Sequence, residues 1–143
     1  KKKEKEEKAE GEETATSRTK KPYKEDFRDI LRPRIAVWVK AKAYTHEQFT
    51  LEELASSLYT NKTYLSTFIK EEYDMNFSGW VASLRIDEAK RIMMKEPEKR
   101  LQEVAFECGF SSLAYFSSVF SKSEGISPSA WQREFSRKTD GEQ

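Results

Sequence analysis

Two stretches of this 143-residue chain carry hydroxyl and ammonium groups at helical spacing. Lys62, Thr63, Ser66, Thr67 and Lys70 form one polar stripe of a helix whose apolar stripe is Tyr64, Leu65, Phe68 and Ile69. Ser112, Leu113, Ser117, Ser118 and Lys122 form a second such row. A hydroxyl both donates and accepts hydrogen bonds, and an ammonium donates while carrying charge. Such rows suit phosphate oxygens and the donor and acceptor edges of bases, and a Thr or Leu surface suits a thymine methyl. An ordinary solvated face has the same composition, so the neighbourhood of each row has to decide. Arg85, Lys90 and Arg91 add cations that either reach phosphates or pair with Asp87 or Glu88 on their own helix.

Other chemistry is poorly provided for. One Cys excludes a disulfide framework, and one His, His46, excludes the common His-rich metal sites. Cys108, just before Gly109, reads as a small buried hydrophobe rather than a reactive thiol. There is no nucleophile with a neighbouring base and no phosphate-cradling glycine loop, so no enzyme, metal or cofactor is expected. The longest apolar run, Ile35 to Val39, is five residues, far short of the roughly 18 that span a membrane. The chain carries no signal peptide and starts with Lys rather than Met, so it is expected to be an excised piece of a longer protein.

Charge is unevenly spread. Residues 1–21 hold eight Lys/Arg and six Glu, while the remaining 122 residues hold 18 basic and 19 acidic groups. Charge alone therefore does not point to nucleic acid, which usually calls for a basic domain. With no large apolar residue, 1–21 is expected to be a charged linker, disordered or a fraying helix, with nothing to bury. Elsewhere 9 Phe, 6 Tyr and 3 Trp demand a core, and 5 Gly with 4 Pro are too few for an all-β chain.

The elements that must position the two rows follow from period and caps. Residues 22–49 form an N-terminal helical region, in which Pro33 either kinks one helix or starts a second, the favoured reading being a main helix of about 33–43. Thr50 to Glu53 is a capping box, and Leu51, Leu54, Ala55 and Leu58 are the stripe behind it. Asn61 is an N-cap for the helix of the first row. A helix over 78–95, with Trp80 in the core, ends at Pro97. Ser127 and Pro128 then start a final helix that carries Trp131.

The pattern repeats. Leu51-x-Glu53-Leu54-Ala55 returns as Leu101-x-Glu103-Val104-Ala105 at an offset of 50, and Tyr64-Leu65-Ser66 returns as Tyr115-Phe116-Ser117 at an offset of 51. Met75, Ser78 and Trp80 pair with Ile126, Ser129 and Trp131 at the second offset. One residue inserted in the second turn reconciles them, with Gly109 ending the preceding helix. This is a duplicated supersecondary unit. The expectation is an all-α, homeodomain-like duplicated fold of two helix-turn-helix subdomains joined by a long linker helix. Its parts are 50–77, a connecting helix within 78–96, 97–137, and a tail over 138–143. A connecting helix of 18 residues is about 27 Å long at roughly 1.5 Å per residue. It would set two second helices near one DNA turn apart, about 34 Å, so that both enter successive major grooves.

Over about residues 33–136 the chain resembles the DNA-binding domain of the AraC-type transcription regulators. The second unit carries the strongest match: Glu103-Val104-Ala105, Cys108-Gly109-Phe110, Tyr115-Phe116-Ser117, Val119-Phe120 and Gly125-Ile126-Ser127-Pro128. Leu84-Arg85-Ile86-x-x-Ala89-Lys90 and the first unit's Leu54-Ala55 with Tyr64-Leu65-Ser66 also fit. In Asn76-Phe77-x-x-Trp80-Val81 and Pro128-x-x-Trp131 it is similar to output domains of membrane-linked or hybrid two-component sensor regulators. The resemblance implies an α-helical binder of double-stranded DNA in the cytoplasm, monomeric as a fragment. It implies also that the intact protein is a dimer with an upstream sensor or effector domain, in some relatives membrane-anchored.

The chain departs from the family where an Arg usually follows the Ser of Tyr-Leu-Ser and Tyr-Phe-Ser: here Thr67 and Ser118 stand. Arg is the commonest specific reader of guanine. Residues 50–75 hold two Lys against five acids, so few phosphates are neutralised. A protein-interaction module that keeps the fold but has lost DNA binding is the competing expectation.

Overall fold

The computed structural model describes residues 26–46 and 48–136. The expected linker over 1–21 and tail over 138–143 lie outside the described residues. In chain order the helices are α1 (Phe27–Lys40), α2 (Leu51–Ser57), α3 (Lys62–Tyr73), α4 (Phe77–Lys95), α5 (Leu101–Glu107), α6 (Leu113–Glu124) and α7 (Pro128–Trp131). A 3-10 turn, Ala43–Thr45, follows α1, and a π-turn, Gln132–Ser136, continues α7. No strand occurs among the described residues. The chain divides into two compact units at Ile30 and Leu31. In the first, the Asp26 carboxylate accepts from the Arg28 backbone N–H at 2.8 Å, satisfying a donor at the start of α1.

The expectation that Pro33 opens a helix over about 33–43 is corrected by the structure, because α1 runs through Pro33 and ends at Lys40. Proline removes one rung of the ladder. Within the second unit Leu31 and Ile35, on either side of it, are each 1% exposed, and their shared burial outweighs the lost bond. The stop comes from Lys42, whose φ of 58° turns the chain away.

The repeat reappears as a repeat of caps. Asn61 accepts from Tyr64 N–H at 2.8 Å, and 51 residues on Ser112 accepts from Tyr115 N–H at 3.0 Å. Asn76 accepts from Gly79 N–H at 2.8 Å, and Ser127 from Ala130 N–H at 3.1 Å. Each cap satisfies one of the donors a helix start leaves open. Thr50 and Glu53 close the capping box that starts α2, whereas α5 begins at Arg100 with no side-chain cap. Asn76 moves the start of α4 to Phe77, giving 19 residues where the sequence suggested 18.

The turns of the two units are also alike. Thr60 N–H reaches Ala55 C=O at 2.9 Å and Tyr59 N–H reaches Ser56 C=O at 3.1 Å. In the second unit Phe110 reaches Ala105 at 3.0 Å and Gly109 reaches Phe106 at 3.1 Å. Both are Schellman endings that need a left-handed residue. Gly109 supplies it at φ 100°, and Tyr59 supplies it at φ 59° with a side chain that must tolerate it.

Helix α4 serves both helix-turn-helix subdomains, which lie together within the second compact unit. Trp80 and Val81 are buried, and Trp80 stacks on Tyr73 of α3 and on Trp38, each 5.5 Å away. Ile86, Ala89, Ile92 and Met93 belong to the second core, with Val104, Ala105, Phe116, Phe120 and Trp131. Ala55 and Ala105 are 1% and 0% exposed, so the absence of a longer side chain there is what lets each helix pair approach.

Candidate nucleic-acid interface

The first row lies on α3. Lys62, Thr63 and Lys70 are exposed, and Ser66 and Thr67 are half-buried. Lys62 Nζ pairs with Glu52 at 3.5 Å and Lys70 Nζ with Asp74 at 3.3 Å, both in solvent. Such pairs contribute little and yield readily to a competing anion. Ser66 Oγ donates to Thr63 C=O at 3.3 Å, leaving its lone pairs outward. Ser66, Thr67 and Lys70 share an open cleft of about 660 Å³ with Leu51, Phe77 and Ser78. Three members of the row thus converge on one cleft that reaches the start of α4.

The second row lies on α6. Leu113 is 38% exposed, Ser118 and Lys122 are exposed, and Ser112 and Ser117 are half-buried. The Ser112 oxygen is committed to the cap, so this residue shapes the helix start more than it offers an acceptor. Lys122 has no ion pair among the described residues, which leaves its charge uncompensated on the α6 face.

The three cations proposed for phosphates are placed otherwise. Arg85 is 6% exposed, and its Nε donates to Tyr44 C=O at 2.7 Å. Phe49 and Phe110 lie 5.7 and 6.0 Å from its guanidinium, so the side chain is packed within the fold rather than projecting from the surface. Lys90 pairs with Glu124 at 3.2 Å, tying α4 to α6. Arg91 donates to both oxygens of Glu88, at 3.0 and 2.7 Å. Those Arg91 hydrogen bonds, with the charges of Arg91 and Lys42, hold the Glu88 carboxyl below the ordinary carboxylate range although burial opposes them. Each of the three side chains has a partner within the chain, Glu88 for the exposed Arg91 and Glu124 for the part-exposed Lys90, and of the three only Arg85 is buried.

Tyr64, read from the sequence as part of the apolar stripe, and Tyr115, its counterpart in the repeat, both emerge at the surface. Tyr64 and Tyr115 are 46% and 49% exposed in the first turn of α3 and of α6. They stand 51 residues apart, and that recurrence is the signal that could have singled them out. Each presents a ring and a phenol beside its row, a surface suited to sugar, base or phosphate. No cluster of metal-binding side chains and no helix long and apolar enough to cross a membrane occurs among the described residues.

Comparison with known proteins agrees with this arrangement. A family model described as a helix-turn-helix domain matches residues 54–134. The transcriptional regulator YobQ of Bacillus subtilis is 33% identical over 90 residues, covering 60% of this chain and 37% of that protein. The chain therefore spans well under half of that relative. Among solved structures, the C-terminal domain of the response regulator AraT from Geobacillus stearothermophilus is 30% identical with a TM-score of 0.65, covering 73% of this chain and 84% of that one. The C-terminal domain of the two-component response regulator yesN from Fusobacterium nucleatum is 27% identical with a TM-score of 0.63, covering 71% and 97%.

Proposed function

The chain belongs to the AraC-type helix-turn-helix family, and from that premise we propose that it is the DNA-binding output module of a bacterial transcription regulator. The observation that carries this is the duplicated geometry: two capped helices, α3 and α6, each presenting hydroxyls, a lysine and a tyrosine outward from equivalent turns. Helix α4, at 19 residues, is about 28 Å long, which suits two helices entering successive major grooves. Lys62, Lys70 and Lys122 hold phosphates, and Thr63, Ser66, Thr67, Leu113, Ser117 and Ser118 meet base edges. The module acts without catalysis, in the cytoplasm. Its intact form carries a sensor or effector domain and dimerises. The regulators it resembles by name, YobQ and the two response regulators, support that reading.

The shortage of cations gives the competing interaction-module reading its one specific support, since residues 50–75 carry five acids and two lysines. Fluorescence anisotropy against duplexes selected from a random pool separates the two. Binding that falls with salt, and whose salt slope drops by about one for each of Lys62→Ala and Lys122→Ala, supports DNA as the partner. Unchanged anisotropy for the wild-type chain at low salt would favour the interaction module.

A further inference from the structure

Among the described residues Arg85 is the one strongly buried cation, and its protein partners leave most of its donors unused. A guanidinium has five N–H groups. Among the described residues only Nε has an acceptor, the Tyr44 carbonyl at 2.7 Å, and Phe49 and Phe110 offer ring faces but no oxygen. Burial pushes its pKa down, and no carboxylate among the described residues offsets that. A charge held in this way sits beside a small cavity of about 110 Å³. The cavity runs along one face of α4 through Ser78 and Ala82 to Arg85, and Gln48 and Tyr115 close it. Its wall therefore adds the Ser78 and Tyr115 hydroxyls to the guanidinium, while the Gln48 amide already donates to Gly109 C=O at 3.1 Å. A water takes about 30 Å³ of liquid, so the space accepts a tetrahedral oxyanion. Phe77 and Ser78 line both this cavity and the cleft beneath α3, while Tyr115 belongs to α6, so the cavity lies between the two rows.

The geometry points to an oxyanion site, with Arg85 as its charge and the Ser78 and Tyr115 hydroxyls as its polar wall, that takes a phosphate group. The phosphate comes either from solution or from the DNA backbone where it passes between the two helices. Only the second source rests on the DNA-binding reading above.

Inorganic phosphate is the probe, titrated at constant ionic strength against chloride while the Arg85 Nε–H and the backbone amides of Ser78 and Tyr115 are followed by NMR. Saturable shifts at all three are expected. Combining Ser78→Ala with Tyr115→Phe leaves the Arg85 bond to Tyr44 intact and should weaken the saturation by about fivefold or more. Arg85→Lys should weaken it further, and if that variant fails to fold the double variant still decides. Shifts that stay linear, or that the double variant does not alter, overturn the site. Adding selected duplex then separates the sources. Loss of the phosphate-induced shifts on DNA binding assigns the site to the backbone, and their persistence in the DNA-bound protein assigns it to a free oxyanion. Saturation by phosphate in a chain that binds no DNA would leave the site standing and remove the DNA-binding reading alone.

Discussion

Gly109 and Tyr59 occupy the same left-handed position in the two turns, and the two residues meet opposite constraints. A Cβ on Gly109 would lie 2.9 Å from the Tyr44 carbonyl oxygen and 2.9 Å from Arg85 Nε, on top of φ 100°. Gly109→Ala is expected to cost about 2–3 kcal/mol through strain and the disturbed Arg85 contact, read as a lower denaturant midpoint. Tyr59 is 87% exposed, and its loss removes only a ring contact with Arg34 at 5.9 Å. Tyr59→Gly is therefore expected to gain about 0.5–1 kcal/mol, and a loss of stability would show that the left-handed turn is not strained there. Gly109 was legible in the sequence because glycine marks such turns. Tyr59 was not, since no side chain announces φ of 59°. Nor was Arg85, because its acceptor belongs to Tyr44, 41 residues away. Cys108 is 0% exposed and its thiol is pushed up to about 12 by burial, so it should react with a thiol reagent only as fast as the chain unfolds.

Helix α4 is the element on which both units depend, and Glu88 is where it is pinned to the 3-10 turn. Its carboxylate, 7% exposed, receives Arg91 and lies 3.4 Å from Lys42. The Glu88 pKa is depressed on folding, first by the Arg91 hydrogen bonds and then by the neighbouring charges. Its contribution is therefore complete above the unfolded value, near 4.3, and is lost as pH falls through the lower folded value. Glu88→Gln is expected to cost about 1–3 kcal/mol at neutral pH and to reduce the loss of stability as pH falls below the unfolded value. An unchanged acid profile would remove Glu88 from that role. The helices themselves were well marked by Thr50, Asn61 and Ser127 with Pro128, whose cap chemistry is local. The run of α1 through Pro33 was not, because the burial of Leu31 and Ile35 that holds it is tertiary.

At the scale of the whole molecule the duplicated fold was legible because the repeat, its caps and its core residues recur together. The faces were less so: pairing of Lys90 with Glu124 and of Arg91 with Glu88 depends on where helices cross and which rotamers they leave. Thr67 and Ser118 stand where the resemblance to the family implies an arginine on each proposed DNA-facing helix. Thr67→Arg and Ser118→Arg should each tighten DNA binding and shift base preference toward G, with about 1–3 kcal/mol of discrimination per good pair, measured by selection with each variant. The central claim, that α3 and α6 hold one duplex together, is tested most directly by hydroxyl-radical footprinting on a selected duplex. Two protected stretches about 10 base pairs apart on one face are expected. Thr67→Asp should erase one of them and Leu113→Asp the other. A footprint that neither substitution alters would mean that these two faces do not meet DNA.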